Sequence, residues 1–382
     1  MKYLLILLGL TLSAGAAAQT LPYWQDMNVT SVNAETQRTE AVWYADRNDA
    51  LTKGFRESEN YVTLNGTWDF KYFDDYHEME RFFAAAQNDK GNAQNDKGIG
   101  QNDKSWDRIT VPGNWEVQGH GVAIYTNIPY DFCPRDPQPP VLPEVFPAAI
   151  YHRTFTVPEG WNGRTVFLNL AGIKSGAYVY VNGKEIGYSE DSKSLARFDI
   201  TGALKEGENE LTLKVYRYST GSWLECQDFW RISGIERDVY LSSEKTPARF
   251  DFSVVSTLDP TLTKGVLTLK MRSRKPVEVF YELLDKDGEC VADAIYSFSG
   301  ELVTVTDTIP QVRKWTAETP ELYTLLLRVG GEYTRFHVGF RRIEIATVKD
   351  GNRDVKALLM NGQPVKFKGV NMHVTTPTPD TT

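Results

Sequence analysis

Long apolar runs are nearly absent from the 382 residues. The exception is the opening MKYLLILLGLTLSAGAAAQT, in which Lys2 precedes an apolar stretch from Tyr3 to Leu12 and Ala16-Ala17-Ala18 offers the small side chains a signal peptidase requires. That stretch is too short to span a bilayer stably, so residues 1–18 are expected to be a cleaved secretory signal and not a membrane anchor. No cysteine follows the cleavage region, which argues against a lipoprotein. The expected location is periplasmic or secreted.

Cysteine is scarce: Cys133, Cys226 and Cys290 are the full set. An odd number without close spacing forms neither a disulfide framework nor a metal motif, although an oxidising compartment leaves one pair open. No essential bridge is expected. Basic charge is in deficit, with 42 Lys and Arg against 50 Asp and Glu and a net charge of -8. Nucleic acid and membrane surfaces are therefore not expected partners. Aromatic side chains are plentiful at 12%, including nine Trp and nineteen Tyr. Core packing accounts for most of them, and the same flat faces suit sugar C–H surfaces.

The roughly 360 residues after the signal imply two or three domains. Residues 19–60 read as a polar, extended segment. Tyr61 to Tyr72 alternates around Asn65-Gly66 and predicts a hairpin. Residues 86–106 hold three heptads, AQNDKGN, AQNDKGI and GQNDKSW. They lack an apolar stripe, so a solvated loop is expected there. Ala177–Val181 and Glu185–Tyr188 flank Asn182-Gly183, a pair suited to a type I′ turn. Glu210–Tyr218 alternates strictly, and no long helical periodicity interrupts the series. The fold class is all-β, with a jelly-roll β-sandwich over residues 61–245. Six strands follow: Phe250–Ser256, Gly265–Arg272, Val277–Asp285, Glu301–Thr308, Tyr323–Val329 and Tyr333–Ile345. That series predicts an immunoglobulin-like sandwich over residues 246–346. Ala357–Met360, a turn at Asn361-Gly362 and Val365–Val370 form one more expected hairpin or strand.

Three segments are dense in chemistry: residues 111–132, 187–201 and 222–241. Asn127 and Asp191 each stand just beyond a strand or turn, where an amide and a carboxylate suit sugar hydroxyls that both donate and accept. From spacing alone, turn capping outweighs sugar contact for both. In the third segment, Trp223, Phe229, Trp230 and Ile235 read as core, and Asp228, Arg231, Arg237 and Asp238 as ion-pair formers.

NGTWDF at 65–70, VPGNWEVQG at 111–119, IYTN at 124–127, SEDSK at 189–193 and DFWRISGIERDV at 228–239 stand in order. WTAETPELYTL at 315–325, VGFRRIE at 338–344 and LLMNGQPVKFKGVNMH at 358–373 complete the set. Across residues 40–373 this series resembles glycoside hydrolase family 2, in its β-galactosidase branch. The resemblance implies a sugar-binding jelly roll, an immunoglobulin-like domain and then a (β/α)8 barrel that begins at residues 347–374. It implies that Asn127, Asp191 and His373 contact galactose, and that Asp191 also lies near a sodium ion. This reverses the preference for turn capping. Cys226 departs from the acidic residue usual in the family. Retaining hydrolysis needs two carboxylates about 5–5.5 Å apart. In the family both are Glu residues of the barrel, which also holds most of the magnesium and sodium ligands, so no catalytic residue and no cofactor are expected within these residues. The expected partners are β-galactosides or galactose, bound weakly, and a separate barrel fragment. A stand-alone carbohydrate-binding module is the alternative.

Residues 375–382 read TTPTPDTT. The nucleotides CACAACCCCTACACCGGACACTAC encode them when the first base is skipped. Read from that base, they encode His-Asn-Pro-Tyr-Thr-Gly-His-Tyr, which fits the family's continuation. A frameshift near codon 374 is therefore expected, and sequencing the locus tests it.

Overall fold

The computed structural model describes residues 21–90, 106–128, 130–226, 229–245, 250–299 and 302–371. The expected signal, most of the heptad segment, Asp228, His373 and the tail lie outside the described residues. No helix of the described residues is long and apolar enough to cross a membrane.

The chain builds two antiparallel β-sandwiches. In the first, a seven-stranded sheet runs in the order Ser31–Val32, Lys184–Ser189, Gly176–Val181, Glu208–Tyr216, Ala148–Thr156, Gly66–Phe73 and Asp107–Val111. It faces a four-stranded sheet of Ala196–Asp199, Thr165–Leu170, Val239–Glu244 and Tyr61–Thr63. Trp68, Phe70, Trp115, Leu168, Phe198 and Leu213 fill the space between, each almost wholly buried. Asn182 and Gly183 both adopt positive φ, 51° and 81°, which is the type I′ geometry expected of them.

The outer face of the seven-stranded sheet is buried as well. Helix Tyr76–Lys90 lies on it, and Met79, Phe82, Phe83 and Ala86 pack with Trp24, Tyr178, Tyr180 and Tyr216. Those helix positions are spaced as one face of an amphipathic helix. This helix precedes the strand series read from the sequence and is not anticipated there. The first five residues of the first heptad, Ala86 to Lys90, are helical, not loop. Lys214, a polar position in the expected alternation, is buried under this helix. Its ammonium pairs with Glu80 at 2.9 Å, and its charge lies 4.8 Å and 4.9 Å from the rings of Phe83 and Tyr178.

Asn65-Gly66 does not close a hairpin. Tyr61–Thr63 and Gly66–Phe73 belong to opposite sheets, so the pair turns a corner between them. The Asn65 side chain fixes that corner, donating to Asp238 at 2.8 Å and accepting from the Val239 amide at 2.9 Å.

The second sandwich sets Asp251–Leu258, Gly265–Arg272 and Val303–Ile309 against Cys290–Phe298, Val277–Leu284, Tyr323–Val329 and Glu332–Val338. Leu269, Met271, Tyr281, Leu283, Leu325 and Phe340 occupy its centre. Strand Cys290–Phe298 is absent from the sequence-based series. It turns small Ala292 and Ala294 inward and Ile295 outward, which hides its alternation. The expected strand Tyr333–Ile345 is broken where the chain bends to bury Phe340, and Gly339 permits the close approach of Trp315.

Residues 21–60 run along both sandwiches. Trp24 is buried against the first, and Trp43 packs in the core of the second. Tyr44 exchanges backbone hydrogen bonds with Tyr333 at 2.8 Å and 2.9 Å. Asp46 caps helix Arg47–Thr52 by accepting from the Asp49 amide. After the second sandwich, Ile343–Asp350 pairs with Arg353–Met360. Asn361 and Gly362, at φ 51° and 78°, then turn into Gln363–Pro364. The expected strand Val365–Val370 does not form. Only the Val365 amide reaches a strand, donating to the Leu358 carbonyl at 2.9 Å; the chain then leaves the sheet, and Phe367 and Val370 are exposed.

Candidate functional site

The loop between Lys184–Ser189 and Ala196–Asp199 carries Asp191, and its neighbours are all restrained. Glu190, only 4% exposed, accepts from the hydroxyls of Tyr188 and Thr220, each at 2.8 Å. Glu225 grips Ser192 twice, accepting from its amide at 2.9 Å and from its hydroxyl at 2.6 Å. Lys193 pairs with Glu236, and its carbonyl accepts from Arg237 at 2.7 Å. Asp191 and Lys193 are both exposed, but the Lys193 ammonium is paired, whereas the Asp191 side chain has no hydrogen-bond partner among the described residues. A carboxylate presented this way is solvated in the free protein and available to a ligand's hydroxyls.

Asn127 follows strand Ile124–Thr126, which pairs with Phe229–Arg231. It too is exposed and without a side-chain partner among the described residues. The local turn bond is made by Thr126, whose hydroxyl accepts from the Ile128 amide at 3.1 Å. So neither Asn127 nor Asp191 makes the capping bond that spacing alone favours. Arg231 steadies the Asn127 loop, donating to the Ile128 carbonyl at 2.9 Å and pairing with Asp131 at 3.4 Å. Tyr218 donates its hydroxyl to the same Asp131 at 2.6 Å.

Trp223 links the two loops. Its ring centroid lies 4.6 Å from that of Tyr130 and 5.0 Å from that of Phe132. Trp223 also lines a cavity of about 650 Å³ bounded by Asp191, Glu190 and Glu225. It is therefore both core, as its sequence context predicts, and a wall. Ile235 is buried as expected, while Trp230 is half-buried against Tyr125 at 5.5 Å. The expected ion pairs draw on distant segments: Arg231 with Asp131, and Asp238 with Arg56.

Glu190, Glu225 and the N-terminal stretch Thr30–Gln37, which forms the opposite wall, are missed by reading the sequence. Glu190 lies inside the SEDSK motif and Glu225 directly precedes Cys226, but nothing local marks either as part of a site. Cys226 lies with its sulfur 3.9 Å from an Asp131 oxygen. Burial pushes its thiol up, with Asp131 adding to the shift and Arg231 opposing it, so the thiol stays neutral beside the Asp131 carboxylate. All three cysteines are free thiols.

Burial also pushes the Glu190 carboxyl above the usual carboxylate range, while its hydroxyl donors pull the other way. A carboxyl raised on folding binds its proton more tightly in the folded chain. Its contribution is then most favourable below the ordinary value of about 4.3 and is lost as pH rises through the raised one. The hydroxyls around it donate or accept equally, so a neutral amide fits. Glu190→Gln is accordingly expected to raise the melting temperature more at pH 8 than at pH 4. An equal or larger gain at pH 4 would contradict a desolvated charge.

The residues present do not form a cation site by themselves. Asp191 offers one exposed carboxylate, and no group of three or more His, Cys, Asp or Glu is placed to hold a metal among the described residues. Oxygen-ligated cations need several ligands, so sodium or magnesium here would depend on groups from elsewhere.

The model of the sugar binding domain of glycosyl hydrolases family 2 matches residues 61–247, and a second model of the same family matches residues 248–341. A beta-galactosidase of Priestia megaterium is 34% identical over 94% of this chain and 35% of its own length. A beta-galactosidase of Actinobacillus pleuropneumoniae is 36% identical over 93% of this chain and 32% of its own. The chain thus spans about a third of the length of the curated relatives it matches. Among solved structures, a Ruminococcus gnavus beta-glucuronidase superposes with a TM-score of 0.58 at 20% identity, over 81% of this chain and 47% of that one. A beta-glycosidase from Bacteroides vulgatus gives 0.57 at 23%, over 81% and 36%. These two carry the likeness of fold alone. The ordered motifs and the two family models together make this chain a member of glycosyl hydrolase family 2.

Proposed function

We propose that the chain is the sugar-orienting part of an exported β-galactosidase, with Asn127, Asp191 and His373 contacting the terminal galactose. The observation that carries this is the Asp191 loop: Glu190, Ser192 and Lys193 are each tied down, and the carboxylate between them is left free. Such a loop has already met the entropic cost of fixing the carboxylate before a sugar arrives. The relatives' name, beta-galactosidase, supplies the substrate class.

The chain's own part in the reaction is binding and orientation. Retaining hydrolysis uses one carboxylate as nucleophile and another as acid and base. Beside Asp191, Glu190 is enclosed by hydroxyls and Glu225 is committed to Ser192, so neither is free for that work. Sodium near Asp191 and magnesium in a barrel are what the family resemblance adds. Bound there, they would supply charge stabilisation, with most of their ligands outside these residues.

Two measurements test the reading. The 382-residue chain, purified alone, is expected to show no turnover of a chromogenic β-galactoside, and turnover would overturn the division of labour. Galactose is expected to bind more weakly than about 1 mM, because a half-site buries little of a monosaccharide. That binding is expected to disappear in Asp191→Ala by ligand-observed NMR. A second reading, an independent carbohydrate-binding module, draws on the cavity of about 650 Å³. Sub-millimolar galactose binding by calorimetry would favour it.

A further inference from the structure

The cavity beside Asp191 is larger than one sugar requires. At about 650 Å³ it lies within the range of roughly 300–1,000 Å³ that accommodates drug-sized ligands, more room than one hexose ring fills. It extends from Asp191 towards the N-terminal stretch Thr30–Gln37, with Pro139 and Pro140 on one side and Trp223 and Leu224 on another. Apolar walls of this kind take the C–H faces of sugar rings, while Thr30, Ser31, Thr36 and Thr220 offer hydroxyls.

Its charge is one-sided. Glu35, Glu190, Asp191 and Glu225 line it, and no Lys, Arg or His is among the lining residues. A carboxylate-rich wall accepts hydrogen bonds from hydroxyls and repels an anion, since like charges brought together without a counter-charge are strongly unfavourable.

We propose that this cavity is a subsite for the neutral sugar units that follow a terminal galactose. The ligand class is then a neutral β-galacto-oligosaccharide, and acidic glycans are rejected. The inference rests on the reading that Asp191 holds the terminal galactose.

The test uses the full chain and ligand-observed NMR titrations with galactose, β-1,4-galactotriose and trigalacturonate. Galactotriose is expected to bind at least about tenfold tighter than galactose, a difference well above titration error. Trigalacturonate is expected to bind no better than galactose. Thr36→Trp adds an indole at an exposed lining position and is expected to bring galactotriose down to the level of galactose, leaving galactose itself unchanged. A thermal melt checks folding, and Met27→Trp, at another exposed lining position, serves as the second cavity-filling variant. Equal binding of galactose and galactotriose overturns the inference, as does a gain that survives both tryptophans or tight binding of trigalacturonate. Galactose binding that is indifferent to Asp191→Ala sinks the functional reading instead, while a galactotriose gain removed by Thr36→Trp still supports the cavity as the subsite. Failure of both neutral sugars to bind at any reachable concentration overturns both.

Discussion

Glu332→Ala is expected to destabilise the chain by about 3–5 kcal/mol, the usual cost of removing one partner from a buried ion pair. Glu332 begins strand Glu332–Val338 of the second sandwich and is 3% exposed. One of its oxygens accepts from Arg164 at 2.5 Å and from Asn60 at 3.1 Å, and the other accepts from the Lys245 amide at 2.9 Å. Arg164 and Asn60 belong to the first sandwich and the segment leading into it. They also meet through Ser243, which accepts from Arg164 at 2.8 Å and donates to Asn60 at 3.0 Å. Removing the carboxylate leaves the Arg164 guanidinium without its counter-charge and the Lys245 N–H without its acceptor, while the Asn60 side-chain nitrogen keeps only the Trp43 carbonyl. Glu332→Gln keeps the volume and one acceptor, so a smaller loss, about 1–3 kcal/mol, is expected. Urea denaturation monitored by tryptophan fluorescence measures both. A loss below about 1 kcal/mol for the alanine variant would mean that water replaces the carboxylate at the junction.

The parts of this fold that were legible in sequence are those governed by local chemistry. Asn182-Gly183 and Asn361-Gly362 demanded positive φ, and both adopt it. In the second sandwich alternation survives where one face meets solvent, as in Gly265–Arg272, whereas first-sandwich strands such as Gly176–Val181 are buried on both faces and are legible mainly through the turns that bound them. Legibility failed where a distant element changed what a position faces. Lys214 reads as a solvent-facing residue until helix Tyr76–Lys90 covers it and Glu80 pairs with it. Asn65-Gly66 has the composition of a hairpin turn, yet its strands find partners in opposite sheets. Composition reports which torsions are easy and is silent about pairing partners.

The candidate site divides the same way. Asn127 and Asp191 were marked by family motifs, and spacing alone pointed to the turn-capping role that neither side chain performs. Glu225 left no trace because its importance lies in a contact across 33 residues, with Ser192. The N-terminal wall of the cavity depends on still longer connections. Gln37 donates to the Leu195 carbonyl at 2.9 Å across 158 positions, and the Glu190 amide donates to the Thr30 carbonyl at 3.1 Å. No local pattern encodes a bond of that kind.

Gly187→Ala is expected to break that wall. Gly187 lies in Lys184–Ser189, beside the two-residue edge strand Ser31–Val32. A Cβ there would stand 2.3 Å from the Val32 carbonyl oxygen and 2.9 Å from the Phe198 ring. Its φ is not in the left-handed region, so alanine meets no backbone penalty and the whole effect comes from contact. Neither neighbour can yield cheaply. The oxygen is backbone held on both sides, by the Glu190 amide on the Thr30 carbonyl and by Asn33 donating to the Ile186 carbonyl at 2.9 Å. Phe198 is fully buried in the sandwich core. Overpacking of this severity costs about 1–3 kcal/mol, and the cheaper relaxation is for the edge strand to lift away. The wall from Thr30 to Gln37 would go with it. Hydrogen exchange is therefore expected to show lost protection around residues 30–37 while the core strand Glu208–Tyr216 stays protected. In the same variant, galactotriose is expected to lose its advantage over galactose. Unchanged protection along the edge strand would mean that the methyl is absorbed by the core, and the cavity wall would then owe its position to something other than this close approach.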